Sequence, residues 1–298
     1  AVYKINGRHY LAVNGAFIRR PPSPRSAFVN PRNRNTTIDN MVNEEALAFD
    51  ASYLVRLPRV KGRLTGYYAN ISDQIWSRTF FNEDLNSFGN YLMSGVDQTH
   101  MGLELGIEAK LTSTWQANIV VAEGSYLYSS RPSATVTRDN LGTTEFTGRK
   151  VYWENYHVGG MPQSASSLGL QYNSPKFWRA GANVNWFRDI YIDPSPDRRT
   201  AEAVAGLVTD DPQWNKLLDQ EKLDNGVTLD VFFYKSWLYK GKYRIGFNLS
   251  VNNVLDNQDL RTGGYEQLRF DSLNPDKFPT KYGYMFGRTF FAMLTFSF

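Results

Sequence analysis

No cysteine occurs among the 298 residues. That single absence removes disulfides, thiolate metal sites and thiol nucleophiles. No run approaches the ~18 consecutive apolar residues of a membrane-spanning helix, and the mean hydropathy is negative. Crossing a membrane by helices is therefore excluded. Crossing by a β-barrel is not, because barrel strands show lipid only alternate residues and keep a low average hydropathy. Histidine is scarce, with three in the chain: His9, His100 and His157. Neither charge dominates, with 33 Lys and Arg against 29 Asp and Glu. The basic residues form no stripe interleaved with stacking aromatics, which argues against a nucleic-acid partner. No signal peptide opens the chain at AVYKINGRHY, so the expectation is a cleaved leader or a start inside a longer protein.

Aromatic residues, by contrast, are abundant, with 18 Tyr, 19 Phe and 7 Trp. They suit the interfacial girdles of a membrane barrel. Composition alone leaves an aromatic-rich β-sandwich or propeller open. Patterning separates these. In FFAMLTFSF, Phe290, Ala292, Leu294, Phe296 and Phe298 fall on one face and Phe291, Met293, Thr295 and Ser297 on the other. Period-two alternation is the mark of a strand. It recurs upstream. Tyr243, Ile245, Phe247, Leu249 and Val251 alternate with Arg244, Gly246, Asn248, Ser250 and Asn252. Trp178, Ala180, Ala182, Val184 and Trp186 alternate with Arg179, Gly181, Asn183, Asn185 and Phe187. Leu103, Leu105 and Ile107 alternate with Glu104, Gly106, Glu108 and Lys110. Sandwich strands average about 5–6 residues, whereas these runs reach the ~10 of a tilted membrane strand.

Ten strands are predicted, at 5–18, 45–57, 62–78, 95–111, 115–128, 162–173, 177–189, 226–238, 242–255 and 283–298. Their connections alternate in length. LPRVKG, LTST, NSPK and YKGK are short; 19–44, 79–94, 129–161, 190–225 and 256–282 are long. Short inner turns alternating with long outer loops are the topology of outer-membrane barrels. With the C-terminus on the inner side, every long loop is external. The fold class predicted is all-β, a transmembrane antiparallel β-barrel. Within 190–225, DPQWNKLLDQEK predicts a short helix near 211–222, capped by Asp211, with Trp214, Leu217 and Leu218 on one face.

Several strings carry a family resemblance: GGMPQSASSLGLQYNSPKFW (159–178), DIYIDPSPDRRTAEAV (189–204), NNVLDNQDLRTGGYEQLRFD (252–271) and FPTKYGYMFGRTFFAMLTFSF (278–298). They resemble the C-terminal barrel region of TonB-dependent outer-membrane receptors, the large, long-looped kind that often has an N-terminal carboxypeptidase-regulatory-like domain. The resemblance implies about ten strands of a 22-stranded barrel, with the plug domain and the earlier strands outside this chain. It implies uptake of a nutrient ligand, with no covalent chemistry, catalytic residue, cofactor or metal in the barrel. Implied partners are outer-membrane lipids, the TonB complex through the missing N-terminal region, the barrel-assembly machinery and a surface-exposed substrate-binding lipoprotein. The terminal set Phe290, Ala292, Leu294, Phe296 and Phe298 is then the assembly signal.

On this reading the apolar faces just named meet lipid. Glu104, Glu108, Lys110, Arg179, Asn183, Arg244 and Asn248 face the lumen or plug, or simply decorate a wet lumen. Trp214 and Tyr265 are candidate ligand contacts in the outer loops, and the basic, Pro-rich loop 19–35 is a candidate for anionic ligands. A complete ten-stranded barrel protease is the enzymatic alternative, but it needs Asp and His paired to activate water, and none of the three His lies in a D-x-H pair. No short motif offers the Ser and His of a phospholipase. A non-transport surface protein, adhesin or lectin, is the third class. Asp256, Asp259 and Asp271 supply carboxylates for Ca²⁺ without the spacing of a known calcium loop.

Overall fold

The computed structural model describes residues 1–30, 35–38, 41–82, 85–139, 143–271 and 274–298. Fifteen strands appear among them: β1 (Val2–Lys4), β2 (His9–Arg20), β3 (Glu44–Arg56), β4 (Val60–Asn82), β5 (Ser87–Lys110), β6 (Trp115–Tyr128), β7 (Ser133–Arg138), β8 (Thr144–Lys150), β9 (Pro162–Ser174), β10 (Trp178–Ile190), β11 (Gly226–Tyr239), β12 (Tyr243–Asn252), β13 (Arg261–Tyr265), β14 (Lys281–Tyr284) and β15 (Thr289–Ser297). The helices are α1 (Pro24–Ala27) and α2 (Pro212–Leu218). No described helix is long and apolar enough to cross a membrane.

The ten predicted strands are β2–β6, β9–β12 and β15. With β1 they form one antiparallel sheet in chain order, β1-β2-β3-β4-β5-β6-β9-β10-β11-β12-β15. Each strand hydrogen-bonds to its sequence neighbour, the meander that short turns allow. The turn after β11 shows why the sequence folds back there. Lys240 and Gly241 have positive φ of 52° and 66°, the latter a conformation glycine adopts at no steric cost, and the Lys242 amide donates to the Tyr239 carbonyl at 3.2 Å to close the turn. All four long connections between wall strands (21–43, 129–161, 191–225 and 253–288) leave the same end of the sheet.

Several boundaries differ from the sequence reading, each for a local reason. The first predicted strand, 5–18, begins only at His9, because the Asn6 carboxamide accepts hydrogen bonds from the Arg8 and His9 amides at 2.8 and 3.1 Å and closes a turn, ahead of which β1 forms unpredicted. Most of 79–94, expected as a loop, continues β4 and β5 to 23 and 24 residues. There Trp76, Phe80, Tyr91 and Met93 find apolar partners. Loop 129–161 holds the hairpin β7–β8, which adds to the outer end of β5. Loop 256–282 contributes to the hairpin β13–β14. The predicted last strand 283–298 is broken into β14 and β15, since side chains of Asn253 and Asp256 hold Phe286 and Arg288 out of the ladder.

The core lies at the long-loop end. Its buried members Tyr91, Met93, Val96 and Tyr128 sit on the outer ends of β5 and β6, and Val136, Val151 and Trp153 in the connection between β6 and β9. A smaller cluster, Ile190, Ile192 and Leu223, sits beside it. Along the wall, large apolar side chains are exposed: Leu103 by 59%, Leu168 by 58% and Leu294 by 75%. A soluble sandwich would bury that face against a second sheet about 10 Å away. The remaining described strands form only the small β13–β14 hairpin and the β7–β8 hairpin at the loop end.

Candidate functional site

Register joins the alternating strands into two continuous surfaces. Val184 of β10 stands opposite Leu168 of β9 and Leu229 of β11; Ala182 stands opposite Leu170 and Val231, and Ala180 opposite Tyr172 and Phe233. The row continues through Phe233, Leu249 and Ala292. In the other direction Leu168, Ile119, Ile107 and Gly62 are aligned, as are Val121, Leu105, Leu64 and Tyr53. Leu103 keeps the same face, opposite Gly66. Trp178 and Trp186, Tyr243, Ile245, Phe247 and Val251, and Phe290, Phe296 and Phe298 share this apolar surface by strand parity. Near the short-turn end an aromatic chain crosses it. Ring centroids are 5.1 Å apart for Trp115–Tyr172, 5.0 Å for Tyr172–Trp178 and 6.2 Å for Trp178–Phe233. Near the loop end the surface turns polar, where Arg188 binds Glu123 at 2.6 Å and lies over Trp186.

The opposite surface carries the predicted polar set. Glu108 pairs with Lys61 at 3.4 Å. Arg179 lies over the Tyr234 ring at 5.0 Å, and Asn248 stands opposite Tyr234. Glu104, Lys110 and Arg244 are on this face by parity. Asn118 and Asn183 lie flat over Gly169, where a Cβ would come within 2.1 and 2.3 Å of their oxygens. Only glycine leaves that room. A polar relay spans three strands at the loop end: Ser167 Oγ donates to Asn185 Oδ1 at 2.8 Å, and Asn185 Nδ2 donates to Asp230 Oδ2 at 2.7 Å.

Asn253, within the NNVLDN string, completes that relay. Its amide donates to Asp230 Oδ1 at 2.8 Å, and its Nδ2 donates to the carbonyls of Asn257 and Phe286, both at 3.0 Å. Its φ is 49°, a left-handed conformation that asparagine tolerates better than most residues. Asn253→Ala is expected to cost about 1–3 kcal/mol from the unsatisfied buried groups. Asn253→Gly, which keeps the backbone but not the side-chain bonds, should recover only the strain component. Unfolding midpoints in denaturant check both.

At the loop end the predicted helix is α2. Asp211 caps it by accepting from the Gln213 amide at 2.8 Å. Leu217 is buried and Trp214 half-buried. The helix stops at Leu218, short of the predicted 222, because Asp219 is extended and Gln220 reaches the carbonyls of His157 and Ile192 at 2.7 and 2.8 Å. Tyr265 is 52% exposed at the end of β13, apart from the buried clusters. In the basic loop, residues 31–34 lie outside the described residues. Among the described residues no three His, Asp or Glu side chains gather as a metal site. The histidines are dispersed. His9 bonds Tyr53, His100 bonds Gln98, and His157 stacks on Tyr191 at 3.8 Å. Burial pushes the His157 imidazole below its ordinary range. Burial likewise raises the Asp193 carboxyl, opposed by Arg78.

Two groups central to the loop end were not singled out from sequence. Arg199 is fully buried and paired with Glu266, and Trp153 is 1% exposed. PDRRT and YEQLR give no sign of a buried pair. The density of aromatics in VYWENYH was the one available hint of a core.

A chain-order antiparallel wall with one exposed apolar face and all long loops at one end defines the outer-membrane β-barrel class. No protein-family model matches the chain, and no curated protein matches it in sequence. Solved structures do match. The copper transporter OprC is similar at a TM-score of 0.62 and 16% identity, over 100% of this chain and 38% of that one. The ferric yersiniabactin uptake receptor FyuA from Yersinia pestis matches at 0.57 and 13%, over 99% of this chain and 36% of the receptor. The FrpB iron transporter from Neisseria meningitidis matches at 0.57 and 13%, over 99% and 38%. The fold is that of the barrel wall of TonB-dependent outer-membrane receptors. The chain spans less than two-fifths of the length of these transport receptors, and none of the three is an enzyme.

Proposed function

We propose that this chain is the C-terminal barrel portion of a TonB-dependent receptor that takes up a nutrient ligand across the outer membrane. The observation that carries the reading is the continuous apolar surface over ten strands, exposed and, among the described residues, without an opposing layer. On β10 that surface runs from Trp178 to Trp186, where Arg188 and Glu123 begin its polar border. Eight steps of ~3.3 Å at a tilt of ~45° span about 19 Å along the membrane normal, most of the ~25 Å apolar band of outer-membrane barrels. Trp178, Ala180, Ala182, Val184 and Trp186 then meet lipid, as do Leu103, Leu105, Ile107 and the alternate residues of β12 and β15. The polar surface, with Glu104, Glu108, Lys110, Arg179, Asn183, Arg244 and Asn248, lines the lumen or meets a plug. The loop end faces outward and offers Trp214 and Tyr265 to ligand. Capture there, followed by energy-driven displacement of a plug by the TonB complex, is the mechanism the fold suggests. A surface lipoprotein sharing the capture step is compatible with the long loops.

Cells lacking the full-length gene should lose growth on one nutrient when supplied with candidates singly. Loss of TonB should reproduce that defect. Growth unaffected by both deletions would overturn the assignment.

The terminal pattern Phe290, Ala292, Leu294, Phe296 and Phe298 fits a signal for the barrel-assembly machinery. Phe298→Ala in the full-length protein should lower the amount of heat-modifiable receptor in the outer membrane several-fold. Unchanged assembly would remove that role.

A further inference from the structure

The three longest connections do not behave as separate loops. A backbone ladder runs through them. Tyr152 N donates to Arg199 O at 2.7 Å, Gly160 N to Tyr191 O at 3.0 Å, and Asp193 N to Gly264 O at 2.9 Å, with Glu266 N returning to Asp193 O at 3.0 Å. These bonds tie the segment after β8 to the β10–β11 connection, and that connection to the hairpin after β12. At their junction lies Arg199, whose guanidinium is fully buried. Its Nη2 donates to Glu266 Oε1 at 2.7 Å and to the Asp219 carbonyl at 3.2 Å, while Glu266 Oε2 also accepts from the Ser195 amide at 2.8 Å. The guanidinium lies over the Tyr156 ring at 5.0 Å. Tyr156 in turn packs on the Trp153 cluster and donates its hydroxyl to Leu218 O.

A buried ion pair is held in place by its geometry, since each charge is stranded if the other leaves. We propose that segments 152–160, 191–199 and 261–266 of these connections form one preassembled cap that unfolds as a single cooperative unit, with Arg199–Glu266 as the joint that couples them. The inference rests on the loop end being the outward, ligand-capturing end, but not on which ligand is taken up. A ligand captured on such a surface meets segments already tied together rather than three free loops, so less conformational entropy is lost on binding.

Hydrogen exchange on the full-length receptor in detergent tests it. Glu266→Gln keeps the shape and removes the partner charge. Exchange should then rise by about tenfold or more at 152–160, 191–199 and 261–266 together, because segments of one cooperative unit open together. The wall amides of β9–β12 should be unchanged. Lys216→Ala, which removes the exposed pair with Asp276, should leave exchange unaltered. Acceleration confined to 261–266 would overturn the proposal, as would unchanged exchange in all three segments. A receptor that still has the cooperative cap but supports no nutrient uptake would refute the transport reading and leave the cap intact.

Discussion

Val184→Arg should largely prevent assembly, while Asn183→Arg, one residue away, should be tolerated. The two side chains point to opposite surfaces of β10. Val184 is 45% exposed and flanked by Leu168 and Leu229, two positions from the middle of the Trp178–Trp186 stretch. A cation near the bilayer midplane of a barrel costs about 2–4 kcal/mol, enough at the lower end to shift a folding equilibrium about 30-fold. An arginine at 183 would enter the polar surface, which already holds Arg179 and Arg244. The check is the fraction of full-length receptor that is heat-modifiable in the outer membrane. Equal loss in both variants, or a worse defect at 183, would show that the apolar surface does not face hydrocarbon. A soluble core at that position would also reject arginine, but it would not tolerate the neighbouring one on a sheet packed on both sides.

This contrast follows from the part of the fold most visible in sequence. Period two is fixed by backbone geometry, so Trp178 through Trp186 and Phe290 through Phe298 announced their faces before any coordinates. The length contrast between NSPK or YKGK and the long connections announced the two ends. Short-range capping was equally legible, as Asp211 before Pro212 shows. What could not be read was anything that depends on contacts between loops. The strand extensions at 79–94 exist because Trp76, Phe80, Tyr91 and Met93 meet Trp153 and Tyr128, residues far apart in the chain. Arg199 lies 67 positions from Glu266, and nothing local marks either as buried. Asn253 sat in a recognised string, yet its role appears only once Asp230 and Phe286 are brought beside it. The candidate site divides along the same line. The wall surfaces were predictable residue by residue, and the cap that would meet ligand was not.

Trp153→Ala should therefore unfold the cap while sparing the wall. The indole is almost wholly buried, with ring centroids 4.5 Å from Tyr128 and 6.0 Å from Trp76, so it joins the segment after β8 to the outer ends of β6 and β4. Truncating a buried tryptophan to alanine costs about 3–5 kcal/mol in lost transfer energy and cavity. That cluster is the larger of the two buried apolar clusters among the described residues. The wall draws on a different source: its ladder hydrogen bonds and, on the proposed reading, lipid against its apolar side. The variant should consequently reach the outer membrane and keep its heat-modifiable mobility. Protease sensitivity and hydrogen exchange should rise sharply at 76–96 and 128–158, and ligand capture should fall with them. Trp153→Phe, which refills most of the cavity, should restore protection. If Trp153→Ala instead abolished assembly while leaving those segments protected in whatever folded, the cap would be part of the barrel's own folding unit rather than a body built on top of it.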